Sequence, residues 1–229
     1  MLELVRSLQW REVADAIASN PSLKDFRDKR GRNWLHLCCG VRIHEKKLKP
    51  ADSIKTARVL LDAGFDLNAP AFTEGTWKAT PLWYAIAFGR NLELARYLLD
   101  RGSDPEHCMW AAAFNNDAPA IRLLARYGAK LDGIAEDASP FFFAIQWSHF
   151  AAADQLLKLG ADVNFQNSKG STAFHLLLKK NAPLQSMEML IRHGARGDLK
   201  DKSGISVDEI LKRKRSPDLR RLAERLRTR

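Results

Sequence analysis

The stretch Leu156-Leu157-Lys158-Leu159-Gly160-Ala161-Asp162-Val163-Asn164 decides how this chain folds, because it is one of five near copies of a single phrase. The others run Leu-Leu-Asp-Ala-Gly-Phe-Asp-Leu-Asn at 60–68, Leu-Leu-Asp-Arg-Gly-Ser-Asp-Pro at 98–105, Leu-Ala-Arg-Tyr-Gly-Ala-Lys-Leu-Asp at 124–132 and Leu-Ile-Arg-His-Gly-Ala-Arg at 190–196. Their glycines stand at 64, 102, 128, 160 and 194, spaced by 38, 26, 32 and 34 residues. A phrase that returns at about 33 residues marks an array of small units, none able to bury its own apolar face.

Working outward from the phrase, four of the five copies follow an opening half: Asn-Trp-Leu-His-Leu-Cys at 33–38, Thr-Pro-Leu-Trp-Tyr-Ala at 80–85, Ser-Pro-Phe-Phe-Phe-Ala at 139–144 and Thr-Ala-Phe-His-Leu-Leu at 172–177. Thr80 and Ser139 are residue types that cap a helix N-terminus. Pro81 and Pro140 suit the first helical position, and each repeat glycine permits a left-handed C-cap. Apolar residues such as Leu94, Leu98 and Leu99 recur at helical spacing, so two short helices per repeat are predicted, stacked on their neighbours.

These two halves together resemble the ankyrin repeat, over roughly residues 28–211. The resemblance implies an all-α fold: an ankyrin-repeat solenoid of stacked helix-turn-helix pairs with hairpin-like fingers. Five repeats are assigned, at 28–68, 69–103, 104–132, 133–164 and 165–199. Residues 1–27 are expected to form a helical cap, with Leu4, Leu8, Val13 and Ile17 on its apolar side. Residues 200–229 read as a divergent capping repeat that breaks at Ser216-Pro217 and ends in a basic tail.

Composition bounds the rest. A chain of 229 residues with 45% hydrophobic content is long enough to bury a continuous core. Its apolar runs fall far short of the roughly 20 residues needed to cross a bilayer, and no charged leader opens it, so membrane insertion is not expected and a cytoplasmic location is. Three cysteines, Cys38, Cys39 and Cys108, are an odd number without metal-ligand spacing; reduced, buried thiols and no bound metal or cofactor are expected. The formal charge of +10 is concentrated at the ends. Residues 24–58 hold 11 basic and 4 acidic side chains and residues 200–229 hold 11 and 5, whereas residues 59–199 hold 13 and 15. That distribution disfavours a nucleic-acid track along the whole molecule.

Three departures from the repeat stand out. The first repeat carries about ten extra residues between its helices, with Arg42, Lys46, Lys47 and Lys49; the finger before Thr80 is lengthened and holds Phe72, Glu74, Trp77 and Lys78. The short spacing removes most of the finger of the 104–132 repeat, and this is expected to expose that repeat's first helix more fully than its neighbours.

The resemblance also implies that the first helix of each repeat lines a concave face, with the positions four and eight residues after the opening threonine pointing inward. Here the earlier position reads Leu37, Tyr84, Trp110, Phe143 and Leu176, and the later one Val41, Phe88, Phe114, Trp147 and Lys180. Tyr84, Trp110 and Phe143 fit either core packing between first helices or exposure. Phe88, Phe114 and Trp147 read as binding anchors unless the long finger folds over them. The candidate partner-binding set therefore joins these six aromatics to Trp77 and Lys78 of the finger and to Lys179 and Lys180.

No nucleotide, hydrolase, metalloprotease or kinase motif is present, and the carboxylates do not converge in sequence, so no catalytic residue is assigned. Asp66 and Asp162 follow the repeat glycine, where an aspartate structures the finger. His36 and His175 occupy the position where the family's histidine bonds neighbouring backbone; His44, His107, His149 and His193 show no carboxylate partner at useful spacing. The function expected is recognition of a protein or peptide partner, an acidic one being favoured by the lysines and the basic ends. The alternative is nucleic-acid binding through Lys212, Arg213, Lys214, Arg215 and the arginines after them, with concave aromatics stacking on bases.

Overall fold

The computed structural model of the chain describes residues 1–74, 77–135 and 137–227. It divides into two compact units, residues 1–112 with 126–129, and residues 113–125 with 130–229.

In the first unit the helices come in pairs: α1 (Leu2–Arg6) with α2 (Trp10–Ser19), α3 (Trp34–Cys39) with α4 (Pro50–Asp62), and α5 (Pro81–Tyr84) with α6 (Leu92–Leu99). First helices pack on first helices, α1 on α3 and α3 on α5; second helices pack on second, α2 on α4 and α4 on α6. α5 continues as one wider π-type turn, Ala85–Gly89. None of these first helices exceeds two turns, too short to persist alone in water, so their stability comes from the neighbours they touch. Ahead of α5, β1 (Thr73–Glu74) pairs antiparallel with β2 (Trp77–Lys78), Thr73 opposite Lys78, which makes the lengthened finger a small hairpin.

α7 (Cys108–Phe114) straddles the division and buries Cys108, Met109, Ala112 and Ala113. In the second unit α8 (Ala118–Arg126) buries Ile121, Leu123 and Leu124. α9 (Pro140–Gln146) pairs with α10 (Phe150–Lys158), α11 (Ala173–Lys179) pairs with α12 (Leu184–Arg192), and α9 packs on α11. α13 (Val207–Lys212) and α14 (Pro217–Arg227) close the chain, α14 lying on α12 and α13 through Leu222, Ala223 and Leu226. This is the expected all-α stack of helix pairs.

The predicted caps form as the residue types require. Thr80 accepts from the Trp83 amide at 3.3 Å and Ser139 from the Phe142 amide at 3.2 Å. Asp66 and Asp162 accept from the amides of Asn68 and Asn164 at 2.9 and 2.8 Å. Each asparagine then reaches the next turn: Asn68 accepts from the Asp104 amide at 2.9 Å, and Asn164 accepts from the Arg196 amide at 2.8 Å. The polar end of the repeat phrase is therefore the clip between successive repeats.

At the N-terminus the structure adds Val5 to the apolar residues named from the sequence. Residues 2–19 stack as a repeat does, and the buried residues are Val5, Leu8, Val13 and Ile17, while Leu4 is half-buried. The chain turns at Leu8, whose φ is 57°, and Val5 of α1 is fully buried.

His36 and His175 complete capping boxes with Asn33 and Thr172 and reach across to the following repeat. Their Nε2 atoms lie 2.9 Å from the Ala69 carbonyl and 3.2 Å from the Ile205 carbonyl. Burial pushes the His36 imidazole down from 6.5 to about 4. The unfolded chain therefore takes up this proton first, so the contribution of His36 is complete above about pH 6.5 and is lost as pH falls toward about 4. We expect the first unit to lose about 2 kcal/mol between pH 7.5 and pH 5 from this group. Urea midpoints across that range check it: the slope should be clearly steeper for the wild type than for His36→Gln.

Candidate functional site

The first helices place two aromatic groups at the surface, one in each unit. In the second unit Phe114 ends α7 and Trp147 caps α9, each 55% exposed, with half-buried Phe143 beneath them. The Phe114 ring lies 6.2 Å from that of Phe143 and 6.1 Å from that of Trp147; Phe143 and Trp147 are 6.1 Å apart. His149 stands edge-on to Phe114 at 6.4 Å and its Nδ1 is 3.0 Å from the Ala113 carbonyl. Asn116 accepts from the Ala152 amide at 2.9 Å. These bonds hold the turns that follow α7 and α9, so the rings are presented from fixed backbone.

In the first unit Phe88 is 40% exposed and stacks on Tyr84 at 5.5 Å, with the Trp83 ring at 5.4 Å. Phe88 sits in the π-type turn, which widens the helix end where the ring leaves it. Tyr84 is only 6% exposed and is corrected here from candidate contact to support: its ring lies under Phe88 and 5.5 Å from His36. Trp110 is half-buried. Lys78 is exposed at the finger, and the side chain of Trp77 lies outside the described residues.

The two families of inward positions thus behave differently. At the later position Phe88, Phe114, Trp147 and Lys180 are exposed; Val41, 6% exposed, is the exception. At the earlier position Leu37 and Tyr84 are buried and Phe143 and Leu176 half-buried, since each faces the adjoining first helix. Lys179 and Lys180 are exposed at the end of α11, and the Lys180 ammonium donates to the Gln146 carbonyl, one residue before Trp147. The family resemblance pointed to the face; it could not separate rings that support from rings that protrude.

The basic end is less available than its composition suggests. Arg225 pairs with Glu188 at 2.9 Å, which ties α14 to α12, and Arg221 lies 3.8 Å from Asp218. Arg229 lies outside the described residues. The expectation that His193 lacks a carboxylate partner is also corrected: its Nε2 lies 3.4 Å from Asp154, supplied 39 residues away by α10. Burial opposes the charge of Asp154, but hydrogen bonds from Lys158 and His193 outweigh it and hold the carboxyl below its ordinary value.

Chemically the site offers apolar ring area and indole and ammonium donors. All three thiols are free and buried; burial pushes Cys38 up to about 12 and Cys39 and Cys108 well above the ordinary thiol range, which leaves them protonated and inert. Among the described residues no three His, Cys, Asp or Glu side chains gather closely enough to hold a metal, and no helix is long and apolar enough to cross a membrane.

Comparison with known proteins follows the same lines. Residues 77–110 match the sequence model of the ankyrin repeat, and residues 108–202 match that of three ankyrin repeats; together they span more than half of the chain. An ankyrin repeat-containing protein of Treponema pallidum is 27% identical over 187 residues, covering 77% of this chain and 58% of its own length. The fowlpox virus ankyrin repeat protein FPV022 is 26% identical over 164 residues, 69% of this chain and 26% of its length. The transient receptor potential channel pyrexia of Drosophila melanogaster is 27% identical over 183 residues, 75% of this chain and 18% of its length. This chain thus spans less than two thirds of each of these relatives. Two solved structures share the fold: the ankyrin repeat domain of Bcl-3, an IkappaB protein family member, with TM-score 0.73 and 23% identity over 99% of this chain and 96% of that one, and the human ASB11 ankyrin repeat domain, with TM-score 0.74 and 17% identity over 98% and 96%.

Proposed function

Because this chain belongs to the ankyrin-repeat family, whose domains are generally protein–protein interaction modules, we propose that it binds a partner protein or peptide on the first-helix face, concave in the family. Phe114 and Trp147, with Phe88 in the first unit, act as anchors, and the protein carries out no chemistry of its own. The observation that carries this reading is the exposure of Phe114 and Trp147, 55% each, on backbone pinned by His149 and Asn116. Large apolar rings held in water are costly to solubility and dominate hot spots once covered. The same reading places the protein in the reducing cytoplasm, supported by its three unpaired thiols.

The test is capture of partners by the wild type and by Phe88→Ala, Phe114→Ala and Trp147→Ala. Each variant should keep its helical circular dichroism and its urea midpoint to within about 1 kcal/mol, as exposed substitutions do. Loss of either second-unit ring should weaken the captured partner by about 2 kcal/mol, roughly 30-fold. Folded variants that recover the same partners with the same strength would remove the aromatic face from consideration. Nucleic-acid binding through the basic end would show instead as a mobility shift with steep salt dependence that these variants leave intact.

A further inference from the structure

Building on that reading of the aromatic face, we propose that the second unit selects an extended acidic segment: an aromatic or large aliphatic anchor covers Phe114 and Trp147, and a carboxylate two or three residues from the anchor pairs with Lys180. The charge pattern around the rings points to this partner. α7 and α9 carry no charged residue at all, and α11 carries only Lys179 besides His175; with Lys180 just beyond, the ends of these three first helices bear positive charge and no negative charge.

The carboxylates near the rings in sequence are already engaged, and Glu188, nearest to Lys180 in sequence, pairs with Arg225 at 2.9 Å. Asp117 accepts from the Ala120 amide at 3.0 Å, Asp137 accepts from the amide and hydroxyl of Ser168, and Asp154 is paired with Lys158 at 2.6 Å. Lys180 is not neutralised by any of them. Its ammonium spends one hydrogen on the Gln146 carbonyl, which draws the charge across the gap from α11 to the residue preceding Trp147. An ammonium has three hydrogens to donate, so a carboxylate arriving at this edge meets a positioned cation beside an apolar platform.

Geometry sets the spacing. Packed helices lie about 8–10 Å apart. An anchor covering both Phe114 and Trp147 lies between α7 and α9, and the Lys180 ammonium stands in the gap between α9 and α11, about one helix spacing further on, a step that an extended peptide rising about 3.3 Å per residue covers in two or three residues. A nucleic acid would need cations repeated along its path, and this face supplies two lysines beside its rings. The acidic residue adds selectivity and association rate; the rings supply most of the affinity.

An array of immobilised nine-residue peptides tests the proposal with the full chain as probe. Each peptide carries one tryptophan in a glycine-serine background and one aspartate placed one to six residues away, with an asparagine twin for each. Wild type should bind best with aspartate at two or three residues, at least fivefold above the asparagine twin. Lys180→Gln should lose that preference while still distinguishing tryptophan peptides from the glycine-serine background, and Trp147→Ala should lose both. Equal binding of aspartate and asparagine peptides by the wild type, or an aspartate preference that survives Lys180→Gln, overturns the acidic partner and leaves the aromatic face standing. Binding indifferent to tryptophan, or no peptide above background, overturns both readings.

Discussion

Phe141→Ala is expected to destabilise the second unit by about 3–5 kcal/mol, the cost of removing a fully buried ring and leaving a cavity that its surroundings fill only in part. Phe141 has no exposed surface; it sits on α9 one residue past Pro140. Because each repeat is stabilised by its neighbours, the loss at α9 is felt through α10 and α11, which pack directly on it. Fluorescence of Trp147, the single tryptophan of the second unit, reports the transition in urea. Phe114→Ala, one helix earlier, removes a ring of the same size that is 55% exposed, and its midpoint should move by about 1 kcal/mol or less. The contrast separates two phenylalanines that composition treats alike: one holds the unit together and the other is available to a partner.

The second large effect is at Gly89. A Cβ built there would lie 2.2 Å from the Cys39 carbonyl oxygen, a backbone atom that cannot step aside without moving α3. Gly89→Ala should therefore cost about 3 kcal/mol, toward the upper end of overpacking effects, by forcing the π-type turn away from the preceding repeat. Gly64 gives the control. Its φ of +94° is strained for an alanine, but nothing lies within 4 Å of the added carbon, so Gly64→Ala should cost about 1 kcal/mol. Urea midpoints of the two variants measure the difference. Since Phe88 adjoins Gly89 in the same turn, Gly89→Ala should also change the near-ultraviolet dichroism of the Tyr84, Trp83 and Phe88 cluster, whereas Gly64→Ala should leave it unchanged.

How far the sequence reaches can be judged from particular residues. Thr80 and Ser139 are recognisable as caps because capping depends on residue type and on amides within one turn. Asp66 and Asp162 were recognisable as turn formers for the same reason. The histidine–carbonyl bonds of His36 and His175 were expected from the resemblance, but the pairing of His193 with Asp154 was not, since its partner arrives from another helix 39 residues away. Nor could spacing show that Val41 would be buried, because burial depends on tertiary packing.

By itself the sequence determined the repeat, its period and the helix ends, and through its resemblance to the ankyrin repeat it implied the face on which the aromatic residues gather. The repeat and the helix ends follow from simple periodicity and from interactions within about one turn of helix, which the order of residues states directly. Tertiary structure alone decided which rings on that face support and which protrude, turning Tyr84 inward and leaving Phe114 and Trp147 in water. It also brought the Lys180 ammonium back beside Trp147. The physical reason is that burial and charge placement at a given position depend on what the neighbouring repeat puts against it, and that is a property of the stack.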